Sequence, residues 1–283
     1  MTTVPVNGFD FDVDISGPQD GEVVVLLHGF PQDRTCWRPL TERLNAAGYR
    51  TVAPDQRGYS PGARPKGVAE YRLGPLTSDV TGLLDALDID RAHVVGHDWG
   101  GAVAWALASD APARVRSLTV LSTPHPAAMQ RAMIRSTQGL KSWYMGLFQV
   151  PHLAETLLAP SRPMWRAVMR GLPADSVARY TANVAEPGAL TAMLNWYRAM
   201  PRDVVKPSLP MHRIEVPTLY IWGRRDPALG EAGALATADY VTGPYEFVIL
   251  PDAGHWLPEQ AVDDVSAALL DHLATYGASA AEA

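Results

Sequence analysis

Six residues constrain this chain more than any others: Gly96-His97-Asp98-Trp99-Gly100-Gly101. An apolar, strand-like run, Ala92-His93-Val94-Val95, precedes them. A helix-forming run, Ala102-Val103-Ala104-Trp105-Ala106-Leu107-Ala108, follows. A strand, a tight glycine-flanked turn and a helix form an elbow that lifts one side chain clear of the backbone. The glycines let strand and helix approach with no Cβ between them. Elbows of this kind usually present a serine hydroxyl; here the lifted group is a carboxylate. Attack by serine gives an acyl-enzyme. A carboxylate suits an electrophilic sp³ carbon, where it forms an alkyl ester of the protein that water must split. The plainer reading of Asp98 is a side chain that caps the following helix.

Around the elbow, short apolar runs alternate with helical patterns. Residues 9–15 alternate apolar and acidic side chains, as an outer antiparallel strand would. Val23–Leu27 reads as a buried strand, and 50–54, 117–121, 218–222 and 247–250 as further strands. Helices are expected over 36–47, stopped by Gly48, over 76–87 and over 262–273. This alternation predicts an α/β fold with a mostly parallel sheet covered on both faces. Between 123 and 213 it stops: helix-forming stretches continue without a convincing strand. Eight of the nine methionines fall there, with eleven Lys/Arg against four Asp/Glu; the remainder carries thirteen against twenty-six. We read 123–213 as a helical cap inserted between two strands and covering their C-terminal ends, where α/β sheets bind ligands. The core is then 1–122 and 214–283.

Composition narrows the setting. A net charge of −6 argues against a nucleic-acid partner. The lone Cys36 excludes an internal disulfide and suits a reducing compartment. The first residues lack a signal-peptide pattern, and no apolar stretch is long enough to span a bilayer. A cytoplasmic protein is expected, with a fraying tail over 277–283. Oligomeric state stays open.

Three further positions share the elbow's logic. His28-Gly29-Phe30-Pro31 follows the Val23–Leu27 strand, and such a loop turns a backbone N–H toward the reacting centre. Asp226, in Gly223-Arg224-Arg225-Asp226-Pro227, and His255, in Asp252-Ala253-Gly254-His255-Trp256, each follow a strand. A histidine takes a proton from water while a carboxylate fixes its tautomer. Phe30 and Trp99 are the expected oxyanion N–H donors.

On these motifs, with Asp55-Gln56-Arg57-Gly58-Tyr59, nearly the whole chain resembles the α/β-hydrolase superfamily, and within it the epoxide hydrolases. The resemblance implies an eight-stranded sheet, and extends to Leu194-Asn195-Trp196-Tyr197-Arg198 and Tyr144-Met145-Gly146-Leu147-Phe148-Gln149. In soluble epoxide hydrolases the matching tyrosines donate to the ring oxygen as it opens. Tyr144 and Tyr197 are equally readable as ordinary amphipathic cap residues. The implied activity converts a small apolar epoxide to a vicinal diol without a metal or organic cofactor. Pro31, Trp143, Phe148, Met193, Trp196 and Trp256 are the expected pocket lining. The basic cap fits either an anionic epoxide or a solvated face docked on an acidic core.

The other histidines carry blander expectations. His97 reads as packed and hydrogen-bonded, His28 as a brace of the oxyanion loop, and His125 as pocket lining or hinge support. His93, His152, His212 and His272 lack metal-ligand spacing. Two rival functions remain at this point. A dehalogenase shares the carboxylate attack, although some have asparagine where this chain has Phe30, and fluoroacetate dehalogenases have arginine where it has Trp99. A small-molecule receptor on the same fold would need none of the chemistry.

Overall fold

In a computed structural model, described over residues 1–209 and 211–277, eight strands form one sheet in the order β1-β2-β4-β3-β5-β6-β7-β8. The strands are β1 Thr2–Val6, β2 Phe9–Ser16, β3 Val23–Leu27, β4 Arg50–Pro54, β5 Ala92–His97, β6 Val115–Leu121, β7 Thr218–Gly223 and β8 Tyr245–Leu250. β1 and β2 pair antiparallel, β2 joins β4 antiparallel, and every later pairing is parallel. The central parallel strands are sealed on both faces, unlike the edge strand β8: Val24 to Leu27, Val94, Val95, Val120 and Leu121 are fully buried. Their unbroken apolar sequence follows from that double burial. β1 carries no such mark. It is an edge strand that contains Pro5, which an edge tolerates. The tail expectation for 278–283 lies outside the described residues.

Helix α1, Arg38–Ala46, links β3 to β4; α2, Leu73–Ala86, links β4 to β5; α3, Trp99–Asp110, links β5 to β6. α1 packs against the last helix of the chain, whereas α2 packs against α3. The chain steps from β3 outward to β4, then back past β3 to β5. Right-handed crossovers therefore put α1 on one face and α2 and α3 on the other. The reversal opens a crevice at the C-terminal ends of β3 and β5, where ligands bind in such sheets.

Among the described residues between β6 and β7 run seven helices: α4 Pro126–Arg135, α5 Gln138–Lys141, α6 Trp143–Phe148, α7 Leu153–Leu157, α8 Pro163–Val168, α9 Ala174–Ala185 and α10 Ala189–Val205. Among the described residues of 123–213 there is no strand. α11 Glu231–Ala236 lies between β7 and β8, and α12 Leu257–Gln260 and α13 Val262–Thr275 close the chain. Among the described residues no helix is long and apolar enough to cross a membrane.

Candidate active site

Four loops meet at the C-terminal edge of the sheet. Asp98 leaves β5 with φ +49° and ψ −119°, a conformation L residues seldom adopt. The glycines make that turn possible. A Cβ on Gly96 would lie 2.4 Å from the Gly100 carbonyl oxygen, and one on Gly100 2.0 Å from that of Leu27. Asp98 occupies the cap position of α3, yet its side chain makes no capping bond. The carboxylate instead accepts from the Phe30 N–H, 2.8 Å to Oδ1, and from the Trp99 N–H. Those are the two donors expected of an oxyanion site. Burial raises the Asp98 carboxyl above its ordinary pKa, against the opposing pull of His255 and the two N–H groups.

His255 stands between two carboxylates. Its Nδ1 is 2.8 Å from Asp226 Oδ2, and its Nε2 is 3.7 Å from Asp98 Oδ2. The second distance is beyond hydrogen-bond reach, so Nε2 is open to exchange a proton with another molecule. Asp226 is fully buried, and its Oδ1 accepts from the N–H groups of Ala228 and Leu229. Burial alone would depress His255, but Asp226 first and Asp98 next outweigh it and lift the imidazole to about 9. The His255 carbonyl is also tied down, by Ser122 Oγ at 2.9 Å and His97 Nε2 at 2.8 Å.

Aromatic rings from α6 and α10 roof this edge. The Tyr197 ring lies edge-on to Trp99 at 4.9 Å, Phe148 at 4.9 Å and Phe30 at 5.5 Å. The Tyr144 ring lies 6.3 Å from that of Tyr197 and 5.4 Å from Phe148. Burial, with the nearby Asp98 charge, pushes both phenols above their usual range, so they keep their protons. Trp196 stacks edge-on with Trp99 and donates to the Arg57 carbonyl. Trp256 packs 4.8 Å from the His255 ring. Pro31 and Met193 are buried. Trp143 departs from expectation: it is 63% exposed and faces away from the pocket it was expected to line. Residues three or four apart share a helix face, so the adjacent Trp143 and Tyr144 of α6 point in different directions.

The remaining histidines are structural in their surroundings. His97 is fully buried and hydrogen-bonded at both nitrogens. His28 Nε2 accepts from the Gln56 N–H, and burial depresses it to about 4. His125 caps α4 through Nδ1 and stacks on Tyr240, away from the acid set. Among the described residues no group of three His, Cys, Asp or Glu side chains is placed to hold a metal. Three residues that motif reading passed over form a chain behind the oxyanion loop: Gln32 accepts from the Gly29 N–H and donates to Glu259, which accepts from the Tyr180 hydroxyl. Only Gln32 carried a signal, as the residue next to Pro31.

Comparison with known proteins bears on the fold and the family. The family model described as alpha/beta hydrolase fold matches residues 22–262. AB hydrolase superfamily protein YfhM of Bacillus subtilis is 37% identical over 280 residues, covering 95% of this chain and 96% of its own. Epoxide hydrolase A of Mycobacterium tuberculosis is 35% identical, covering 95% and 96%. The crystal structure of epoxide hydrolase A from Mycobacterium thermoresistibile superposes with a TM-score of 0.84 at 30% identity, over 98% of each chain.

Proposed function

This chain belongs to the α/β-hydrolase fold family and, within it, to the epoxide hydrolases, and we propose that it opens a small apolar epoxide through an ester on Asp98. In this reading Asp98 Oδ2, the oxygen without the Phe30 N–H, attacks one epoxide carbon from behind. The C–O bond of the ring breaks, and the leaving oxygen takes a proton from Tyr144 or Tyr197. Oδ1, held by the Phe30 N–H, becomes the ester carbonyl oxygen, with the Trp99 N–H also turned to the carboxylate. His255 then takes a proton from water, whose oxygen adds to that carbonyl; the same N–H groups stabilise the oxyanion. Collapse frees the diol and restores the carboxylate, with His255 left protonated as in the free protein.

The chemistry also readies its own base. Two carboxylates hold His255 at about 9 in the free protein. Esterification removes the charge on Asp98, so the imidazole loses one of its two anionic neighbours, gives its proton to the phenolate that ring opening leaves, and becomes the neutral base the next step needs. No step calls for a metal or an organic cofactor. We take 123–213 as the cap over the core, and the single buried, free Cys36 suits a cytoplasmic setting.

The observation that best supports this reading is the carboxylate at the elbow, with a backbone N–H 2.8 Å from one oxygen and an imidazole near the other. His255→Gln should still be alkylated by styrene oxide but hydrolyse the ester slowly, and intact-mass spectrometry should show the adduct on Asp98. An unmodified variant beside an active wild type would refute the two-step scheme. Parallel incubation with 1-bromobutane separates the dehalogenase alternative, which releases halide and makes no diol.

A further inference from the structure

Two loops at the sheet edge keep their places differently. The one carrying Phe30 is wedged: a Cβ on Gly29 would fall 2.3 Å from that of Asp98. The one after Asp226 runs through Pro227, Ala228, Leu229 and Gly230 outside any strand or helix, so its polar backbone groups need individual partners. The core supplies some of them. Asp226 Oδ1 accepts from the Ala228 N–H at 2.7 Å and from the Leu229 N–H at 2.9 Å, and Trp222 Nε1 donates to the Leu229 carbonyl at 3.0 Å.

The helical insertion supplies others, through buried Gln138 of α5. Its Nε2 donates to the Ala228 carbonyl at 2.7 Å, and its Oε1 accepts from the Gly230 N–H at 2.7 Å. The second hydrogen on Nε2 goes to Ser142 Oγ at 2.9 Å. Neighbours fix the orientation of this amide. Turned over, it would set an oxygen against the Ala228 carbonyl and an NH2 group against the Gly230 N–H. A Cβ on Gly230 would lie 3.0 Å from Oε1, so amide and loop are in close contact. Lys141, three residues on, places its Nζ 3.4 Å from the Asp226 carbonyl.

Ala228 is thus gripped from both sides, by Asp226 at its N–H and by Gln138 at its carbonyl. We propose, resting on the roles given above to Asp226 and His255, that Gln138 is a positioning residue for ester hydrolysis. It pins 228–230 from above, which keeps two N–H groups on Asp226 Oδ1 and leaves Oδ2 turned to His255 Nδ1. Asp98 is seated by other donors, the Phe30 and Trp99 N–H groups, so alkylation does not pass through this clamp. Without the clamp Asp226 loosens. Burial lowers His255, and Asp226 leads the acids that raise it, followed by Asp98 and Glu259; His97, 5.0 Å away, is kept neutral by its burial and by His255. A looser Asp226 therefore lowers the His255 midpoint, and a poorly oriented imidazole is a slower base.

The test uses Gln138→Met, similar in length but without a hydrogen-bonding amide, and Gln138→Asn, which keeps the amide but draws it back by one carbon. Stopped-flow tryptophan quenching with styrene oxide, from pH 6 to 10, separates alkylation from ester hydrolysis. NMR gives the His255 midpoint and the exchange of single backbone N–H groups. In wild type the Gly230 N–H should exchange about a hundredfold slower than an unprotected amide. Each variant should alkylate within about threefold of wild type, hydrolyse the ester about tenfold more slowly at its alkaline plateau, and show a His255 midpoint lower by about half a unit. A lower melting temperature with hydrolysis and midpoint unchanged would reduce Gln138 to packing and overturn the inference. Equal losses in both steps would overturn it too, as would a freely exchanging Gly230 N–H in wild type, which needs no variant to observe. Each of these leaves the ester mechanism standing. If His255→Gln cleared its ester as fast as wild type, the acid–base pair would be unused and both readings would fall.

Discussion

The sheet edge and the roof above it hold their functional groups by different means. Asp226 is locked by three directional bonds, two from backbone N–H groups and one from His255. Asp98 is fixed by a left-handed backbone and by donors from two loops. Tyr144 and Tyr197 are held chiefly by edge-to-face packing among Phe30, Trp99 and Phe148. Hydrogen bonds fix charges to a fraction of an ångström, whereas ring packing tolerates adjustment. Damage at the edge should therefore abolish a step, and damage in the roof should scale one.

The largest break falls at the nucleophile. Asp98→Ala should lower kcat about 10⁴-fold or more, with far-ultraviolet circular dichroism unchanged, because the neighbouring acid, Asp226, is buried and held by bonds of its own. His255→Gln should slow ester hydrolysis about 10²- to 10⁴-fold while alkylation survives, seen as a burst followed by a stalled adduct. In the roof, Tyr144→Phe and Tyr197→Phe should each cost the alkylation rate about tenfold, near 1.4 kcal/mol, in single-turnover assays. The double variant should lose more than either single one, since two donors share one oxygen.

A subtler contrast concerns pH. His255 must be neutral to act as a base, so ester hydrolysis rises with pH through its pKa. That value stands at about 9 while Asp98 is ionised, and esterification deletes one of the raising charges. The hydrolysis midpoint should lie below the midpoint of the free protein, measured by imidazole NMR; equal midpoints would mean Asp98 contributes little. Smallest of all, Trp143→Ala on the outer surface should change kcat/KM less than twofold and stability by less than about 0.5 kcal/mol.

How much of this was legible beforehand depends on distance along the chain. The parallel strands announce themselves because burial on both faces demands unbroken apolar runs. Asp98, Asp226 and His255 each stand just past such a strand, so locating the strands located them. β1 was hidden by Pro5 and its short length. The start of α2 was missed by three residues because Pro75 reads as a breaker, although the first turn accepts it. Trp143 misled because a six-residue helix is too short to reveal a face. Glu259, Gln32 and Tyr180 could not be assembled from sequence: 227 residues separate the first pair and 79 the other, and only folding brings them together.

The narrow gap between Gly29 and residue 98 has a practical side. A single methyl group on that glycine has nowhere to go, so mutagenesis libraries that randomise the loop will return almost nothing alive at position 29. Breadth toward bulkier oxiranes has to be sought in the ceiling of aromatic and thioether side chains, where neighbours can yield.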